Sequence, residues 1–367
     1  MGTRPEAIKL APVARAFAAR AALGAPVELR IVSTGQHDEQ LQDATQALGL
    51  TPDVDLGIMQ PDQDLYDIGI ACLTGLRTEL ERWRPHLLLV QGDTASTFFA
   101  GLAGSYERIP VGHVEAGLRT FNDAAPYPEE LFRRLTDGLA TLCFAPTARA
   151  RENLLREHVR PEAIFVTGNT VVDAAQAMAQ SPAASDGRRI VLVTIHRRES
   201  FGETLRGMLQ AIARLAADHG DVCFIYPVHR NPNVAGPARA LLSGIRNVQL
   251  VDPLGYSELI RTLQSTTLVL TDSGGLQEEA PCFGVPVLVL RDVTERPEGV
   301  EVGVARLVGT NGERIVREAN RLLRDEAERE RMTHPAHPYG DGRAGERIAD
   351  IVLHVLRGVP RRTADWT

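Results

Sequence analysis

Apolar runs of strand length recur along the chain at residues 27–33, 86–91, 110–114, 141–145 and 163–167, and again at 189–195, 222–227, 248–251, 268–271 and 286–290. Between them lie segments with helical spacing, such as 204–219, where apolar residues return every three or four positions. Strand alternating with helix predicts parallel sheets covered on both faces. Two such series of similar length predict an α/β protein of two Rossmann-like, doubly wound domains, with ligands gathered at the carboxyl ends of the strands in an interdomain cleft. The small-residue, polar stretch 180–188 is the linker candidate. We place the domains at 1–168 and 169–345, with 346–367 forming a last helix that packs back on the first domain. No internal repeat or low-complexity tract breaks the rhythm.

Composition sharpens this picture. With 367 residues, 44% hydrophobic and 24% charged, the chain is too long for one simple core. No run approaches bilayer length and the first residues show no signal-peptide pattern, so we expect a cytoplasmic protein. The four cysteines, Cys72, Cys143, Cys223 and Cys282, are scattered without a CxxC pair and read as free thiols, not disulfides or a metal site. A net charge of −7 argues against a nucleic-acid surface. The short basic clusters Arg133-Arg134 and Arg197-Arg198 suit a small polyanion instead.

The sharpest motif is TDSGGLQEEA at 271–280, with RDVTERPE at 291–298 after it. An apolar run ends at Thr271, then Ser273, Gly274 and Gly275 break it before a good helix former resumes. Strand, glycine turn and helix start in that order aim free backbone N–H groups and the positive end of a helix dipole at one point, which suits a diphosphate. An ordinary α/β loop needs glycine as well, so alone the motif leaves both readings open. GTRPEAIK at 2–9 offers a glycine turn into a helix, with Arg4 and Lys9 able to reach a phosphate. QGDT at 91–94 puts Asp93 just past one strand, HVEAGLR at 113–119 puts Glu115 past the next, and PYPEELFR at 126–133 puts Glu129 and Glu130 at a helix start. Taken singly, Asp93 and Glu115 also read as loop solvation or an ion pair with Arg119, and Glu130 as a helix cap. His196, followed by two arginines, is unlike a core residue and can donate to a diphosphate. His229 in YPVH either joins it or makes a structural hydrogen bond.

In order and over nearly the whole chain, these motifs coincide with one family. Through GTRPEAIK, GQH, QGDT, HVEAGLRT, PEE, TGNTVVD, HRRES, YPVHRNPNV, TDSGGLQEEAP, TERPE and PYGDG the sequence resembles the bacterial UDP-N-acetylglucosamine 2-epimerases of the non-hydrolysing type. The resemblance implies a two-domain fold of the glycosyltransferase-B type, with UDP on the second domain and the sugar between the two. It implies inversion at C2 to UDP-N-acetylmannosamine, without a cofactor or metal, by elimination of UDP to a 2-acetamidoglucal and re-addition. Asp93, Glu115, Glu129 and His196 match the family's catalytic positions. Arg4, Lys9, Ser273, Gly274, Gly275, Glu279 and Arg296 match substrate-binding ones, Glu279 on the ribose. Gln36, His37, Arg197 and His229 match, in part, a pocket for a second, activating UDP-N-acetylglucosamine. The partners implied are UDP-N-acetylglucosamine, UDP and a second copy in a homodimer.

Three departures accompany the match. The family has a strand of about half a dozen residues before the motif that opens here at Gly2, close to the usual strand length, so we expect the true start to lie upstream. Leu254 and Leu259 stand where relatives often carry Gln and Phe near the uracil. Ile195, Phe283, Val285 and Gly299 replace residues usual beside these motifs, which leaves room for a related UDP-aminosugar of a natural-product pathway. A hydrolysing epimerase, releasing N-acetylmannosamine and UDP, is the competing activity. A glycosyltransferase or a binding protein without catalysis fits three carboxylates less well.

Overall fold

In the computed structural model, which describes residues 1–35, 39–60, 63–124, 126–179, 187–333 and 337–367, the chain divides into two units. Met1–Ala177 and Tyr339–Thr367 form the first, and Met178–Pro338 the second. In the first, β1 (Val32–Ser33) and β2 (Val54–Asp55) pair in parallel as a small sheet of their own. A four-stranded parallel sheet follows in chain order: β3 (Leu88–Gln91), β4 (Val111–Val114), β5 (Leu142–Ala145) and β6 (Ile164–Val166).

The run 27–33 was expected to be one strand, and only its last two residues are. The cause is what lies beside it. Residues 27–31 line a cavity of about 650 Å³ whose opposite wall is residues 87–91, over a floor that includes Val13, Phe17 and Val352. A strand is held by its ladder; on its other side Ile31 alone of this run accepts backbone N–H groups, from Asp53 and Val54, among the described bonds. Met1 alone takes a ladder position: its amino group donates to the Val32 carbonyl at 2.9 Å, and the Thr34 N–H donates to the Met1 carbonyl at 2.8 Å.

The domain boundaries also differ from 168/169 and 345/346. The helix Thr170–Met178 stays with the first unit, where Val171, Val172, Ala174 and Ala175 are buried. Asp173 accepts from the N–H groups of Ala344 and Gly345, so the returning segment joins the first unit at Tyr339, before the last helix starts. Burial pushes the Asp173 carboxyl up to about 6. The last helix, Ala344–Arg357, packs on Arg4–Ala22, with Ile348, Ile351 and Val352 beside Val13 and Phe17. Gly345 permits the close crossing, since a Cβ there would stand 2.7 Å from the Pro12 carbonyl.

The second unit carries an unbroken parallel sheet of six strands, β7 (Arg189–Thr194), β8 (Val222–Pro227), β9 (Val248–Val251), β10 (Leu268–Thr271), β11 (Val287–Val289) and β12 (Ala305–Leu307), in the order β12-β11-β10-β7-β8-β9. Central β7 and β10 are apolar on both faces because helices cover both. The helix Glu203–Asp218 buries Leu205, Met208, Leu209, Ile212 and Leu215, the spacing of one helical face, each worth about 1.5–3 kcal/mol of burial. The strand order reverses between β7 and β10, where Thr194 lies opposite Thr271. In a doubly wound sheet that crevice binds ligands. Among the described residues no helix is long and apolar enough to cross a membrane. Cys72 and Cys143 are buried, and none of the four cysteines is in a disulfide.

The edge strand β3, facing the largely irregular run 27–31 across the cavity, is a receptor for a strand. An apolar, β-branched extension of about six residues fused ahead of Met1 should enter the groove and raise the melting temperature, by about 2–4 °C for each kcal/mol gained. Differential scanning calorimetry reads it, with a Gly/Ser extension of equal length as control. Equal melting temperatures would show that the groove does not take a strand.

Candidate active site

In the first unit the polar residues past β3 and β4 are held by partners far away in sequence. β3 and β4 run side by side, Gln91 opposite Val114, so Asp93 and Glu115 leave adjacent strand ends. Asp93 follows a turn at Gly92 (φ +80°) and precedes the helix Ala95–Tyr106, whose first turn is capped by Thr94. Its carboxylate pairs with Arg133, which also donates to Glu130 at 2.9 Å. Glu115 sits at φ +70°, a left-handed conformation that costs a non-glycine residue about 1–2 kcal/mol. Three side chains fix it there. Its carboxylate takes the Lys9 ammonium, the Asn169 amide at 2.6 Å and the Gln91 amide at 3.2 Å.

Several sequence expectations change here. Lys9 pairs with Glu115 and is buried. Arg119 does not pair with Glu115; it donates to Asp137 and Glu157, at 2.7 and 2.6 Å. Glu130 does not cap its own helix start. Fully buried, it accepts the N–H groups of Thr120 and Phe121, both at 2.9 Å, and so pins the loop that follows HVEAGLRT. Glu129 opens the helix Glu129–Leu139 half-buried, and Arg4 opens Arg4–Ala22. Asn169, Gln91 and Arg133 were not singled out as site residues. TGNT and QGDT contained two of them, but only the fold shows which carboxylate each serves.

In the second unit the two motifs meet at the strand reversal. Asp272, fully buried at the end of β10, accepts the N–H groups of His196 and Arg197 at 2.9 and 2.8 Å. The ring Nδ1 of His196 is 3.4 Å from its other oxygen. Sequence reading passed over Asp272, although it stands directly before Ser273. The helix begun by Gly274 is short, Gly274–Glu279, and Ser273 uses its own N–H on the Thr271 hydroxyl. The two glycines have different reasons. A Cβ on Gly274 would meet the Arg296 guanidinium at 2.7 Å, so that glycine admits the arginine and not a ligand. A Cβ on Gly275 would meet a Glu279 carboxylate oxygen at an ordinary 3.6 Å, so no arginine crowds this second glycine. Arg296 is buried against Glu278, at 3.0 Å, and Glu295. Glu279 is buried in the last turn of the same short helix.

His229 makes the structural hydrogen bond weighed for it, Nδ1 accepting from the Asn231 N–H at 3.1 Å, and its ring stacks on His196 with centroids 5.7 Å apart. Burial and the neighbouring His196 hold its basicity below the usual histidine value. Arg197 lies 3.8 Å from Glu295. Gln36 and His37 lie outside the described residues.

The comparisons with known proteins converge on one family. The model of the UDP-N-acetylglucosamine 2-epimerases matches residues 21–353. The chain belongs to the UDP-N-acetylglucosamine 2-epimerase family. It is 48% identical over 362 residues to a Yersinia pestis protein named UDP-N-acetylglucosamine 2-epimerase, covering 95% of each chain. The Neisseria meningitidis UDP-N-acetylglucosamine 2-epimerase, solved bound to UDP-N-acetylglucosamine, is 40% identical with a TM-score of 0.90 over 96% of this chain and 98% of that one. Staphylococcus aureus MnaA, solved with UDP, is 39% identical with a TM-score of 0.93 over 100% and 98%. The fold class expected from the sequence, two Rossmann-like units of the glycosyltransferase-B type, is the one shared with these structures.

The Glu130 network makes a contrast that denaturation can read. Glu130→Ala strips two part-buried loop amides and a buried guanidinium of their acceptor and should cost about 3–5 kcal/mol. Arg134→Ala, which removes a half-exposed arginine from Asp123 and Glu157, should stay within about 1 kcal/mol. Comparable urea midpoints for the two variants would mean that Glu130 does not hold the loop.

Proposed function

We propose that the chain inverts C2 of UDP-N-acetylglucosamine reversibly, giving UDP-N-acetylmannosamine, by eliminating UDP to a 2-acetamidoglucal and adding it back. The observation that carries this reading is the pair Asp93 and Glu115, two carboxylates at adjacent strand ends in separate hydrogen-bond networks. The chemistry asks for such a pair. The C2 hydrogen is not next to a carbonyl, so direct deprotonation is not available. Losing the diphosphate from C1 as the C2 proton departs gives the glucal, and re-addition returns UDP to C1 and a proton to the opposite face of C2. One group must take a proton and another return one, which needs at least two carboxyls. Glu129, at the start of the helix that also presents Glu130 and Arg133, supplies a third.

The second unit supplies what the leaving group needs. His196 and Ser273 stand at the ends of the two central strands, with the buried Arg296 beside Gly274 and a Glu279 carboxylate oxygen beside Gly275. Donors fixed before reaction stabilise the charge on the departing diphosphate without reorganising. The reaction starts and ends at one oxidation level, so it calls for no redox cofactor. That relatives were solved with the starting substrate, UDP-N-acetylglucosamine, in one case and with the leaving group, UDP, in another supports the assignment. Water kept from the intermediate separates this reaction from the hydrolysing one.

Incubation with UDP-N-acetylglucosamine in deuterium oxide, followed by NMR, tests the route: the UDP-N-acetylmannosamine formed should carry deuterium at C2. Retained protium would rule out elimination and re-addition by exchanging carboxyls, and free N-acetylmannosamine with UDP would put the hydrolysing activity in its place. In the same assay Asp93→Asn, Glu115→Gln and Glu129→Gln should each slow turnover by about 10²- to 10⁴-fold. UDP affinity, read by calorimetry, should survive in all three.

A further inference from the structure

One buried charged cluster is left unused by this mechanism. His113 lies within β4 with no exposed surface. Its Nδ1 is 2.6 Å from an Asp137 carboxylate oxygen, and its Nε2 is 2.7 Å from the Gly92 carbonyl oxygen. Both partners are acceptors. For both contacts to be hydrogen bonds, each ring nitrogen must carry a proton, so the side chain is an imidazolium.

The partners of this imidazolium are the turns that carry the two carboxylates. Gly92 is the left-handed turn residue immediately before Asp93. Asp137 accepts also from the Gly117 N–H at 3.2 Å and from Arg119 at 2.7 Å, and both belong to the turn that follows Glu115. Gly117 cannot be replaced in that turn, because a Cβ would stand 2.3 Å from the Ala150 carbonyl oxygen. One continuous chain of hydrogen bonds therefore runs from the Asp93 turn through His113 and Asp137 to the Glu115 turn. The charged groups that face His113 are Asp137 and, through it, Arg119 with Glu157. Cys143, its register partner on β5, is a thiol whose acidity burial suppresses. Burial works to raise the Asp137 carboxyl, yet His113 and Arg119 outweigh it and hold the group below the usual carboxylate range. Such a cluster is an expensive way to fill a strand whose neighbours Val111 and Val114 are apolar, since a well-packed hydrophobic residue fills a core at no desolvation cost.

We propose that His113 is a positioning residue for the epimerisation, an imidazolium that ties the Gly92 carbonyl to Asp137 and so fixes the spacing of Asp93 and Glu115. The inference rests on the reaction proposed above and assigns His113 no contact with substrate.

The test has two arms. In His113→Gln an amide can donate to one of the two acceptors and carries no charge, so the Asp93 turn loosens. Misplacement by about 1 Å costs roughly 10²-fold in rate, and kcat should fall by about that much while KM and the affinity for UDP barely move. A folded variant with the wild-type kcat, its loss confined to the melting temperature, would reduce His113 to a structural residue and overturn the proposal. The second arm is nitrogen-15 NMR of histidine-labelled, unsubstituted protein at neutral pH, with the His113 resonance assigned by its absence from His113→Gln or, where that variant does not fold, by through-bond correlation. Two ring N–H protons on His113 are expected; one alone overturns the clamp. This arm needs no substrate. A chain that fails to turn over UDP-N-acetylglucosamine would remove the reaction, while the nitrogen spectrum still decides the clamp.

Discussion

The loops that carry chemistry in this protein are held by buried carboxylates that collect backbone N–H groups. A parallel strand leaves its sheet with amides that no longer have a ladder partner, and a buried amide must be satisfied somewhere. Asp272 takes those of His196 and Arg197, Glu130 those of Thr120 and Phe121, Asp137 that of Gly117, and Asp173 those of Ala344 and Gly345. Charge-assisted bonds of this kind are roughly twice as strong as neutral ones. They also fix the loop, because the carboxylate itself sits on a helix or at a strand end. Where a cation is added, Arg133 on Glu130 or Arg119 on Asp137, the buried charge is balanced and the network closes.

The two units show what an unbroken sheet does for such loops. In the second, β7 and β10 are central; Thr271 is paired with Thr194 on one side and Val289 on the other, while β7 pairs with β8 as far as Leu192. In the first, β3 is an edge strand of its sheet, and the wall facing it across the cavity is mostly irregular. The Asp93 turn that leaves β3 depends correspondingly more on side chains: Thr94 reaches Glu6 at 2.7 Å, Thr97 donates to the Gln91 carbonyl at 2.6 Å, and His113 reaches Gly92. Side-chain bonds there add to the one backbone bond of the turn, from the Gly92 N–H to the Val114 carbonyl.

Much of this was legible in the sequence, and the reasons are local. Strand runs and helical spacing are periodic signals, and they located ten strands' worth of chain without any knowledge of partners. The motif at 271–275 could be placed at a strand end because Thr271 and the glycines are adjacent in the chain. What failed depended on contacts distant in sequence. Lys9 lies 106 residues from Glu115, Asn169 54 residues from it, and Arg133 40 residues from Asp93. No spacing rule reaches that far. Glu130 looked like a helix cap because its position in the first turn is right for one; its carboxylate was claimed instead by two loop amides that only tertiary packing brings near. The split lies between Ala177 and Met178 and not at 168/169, since the helix Thr170–Met178 looks the same in sequence whichever unit buries it.

The two carboxylates at the centre of the first unit differ in the way a proton-transfer pair needs. Glu115 is almost wholly enclosed, its side chain 6% exposed, with an ammonium and two amides on it and a strained backbone beneath. Asp93 is 29% exposed and meets a guanidinium that it shares with Glu130. An enclosed carboxylate with its lone pairs engaged is held to one geometry, while a partly open one is accessible to whatever approaches it. Unequal surroundings around paired carboxyls are what allow one fold to remove a proton on one side of a carbon and return one on the other. The inequality is built by Arg133 on Asp93 and by Lys9, Asn169 and Gln91 on Glu115.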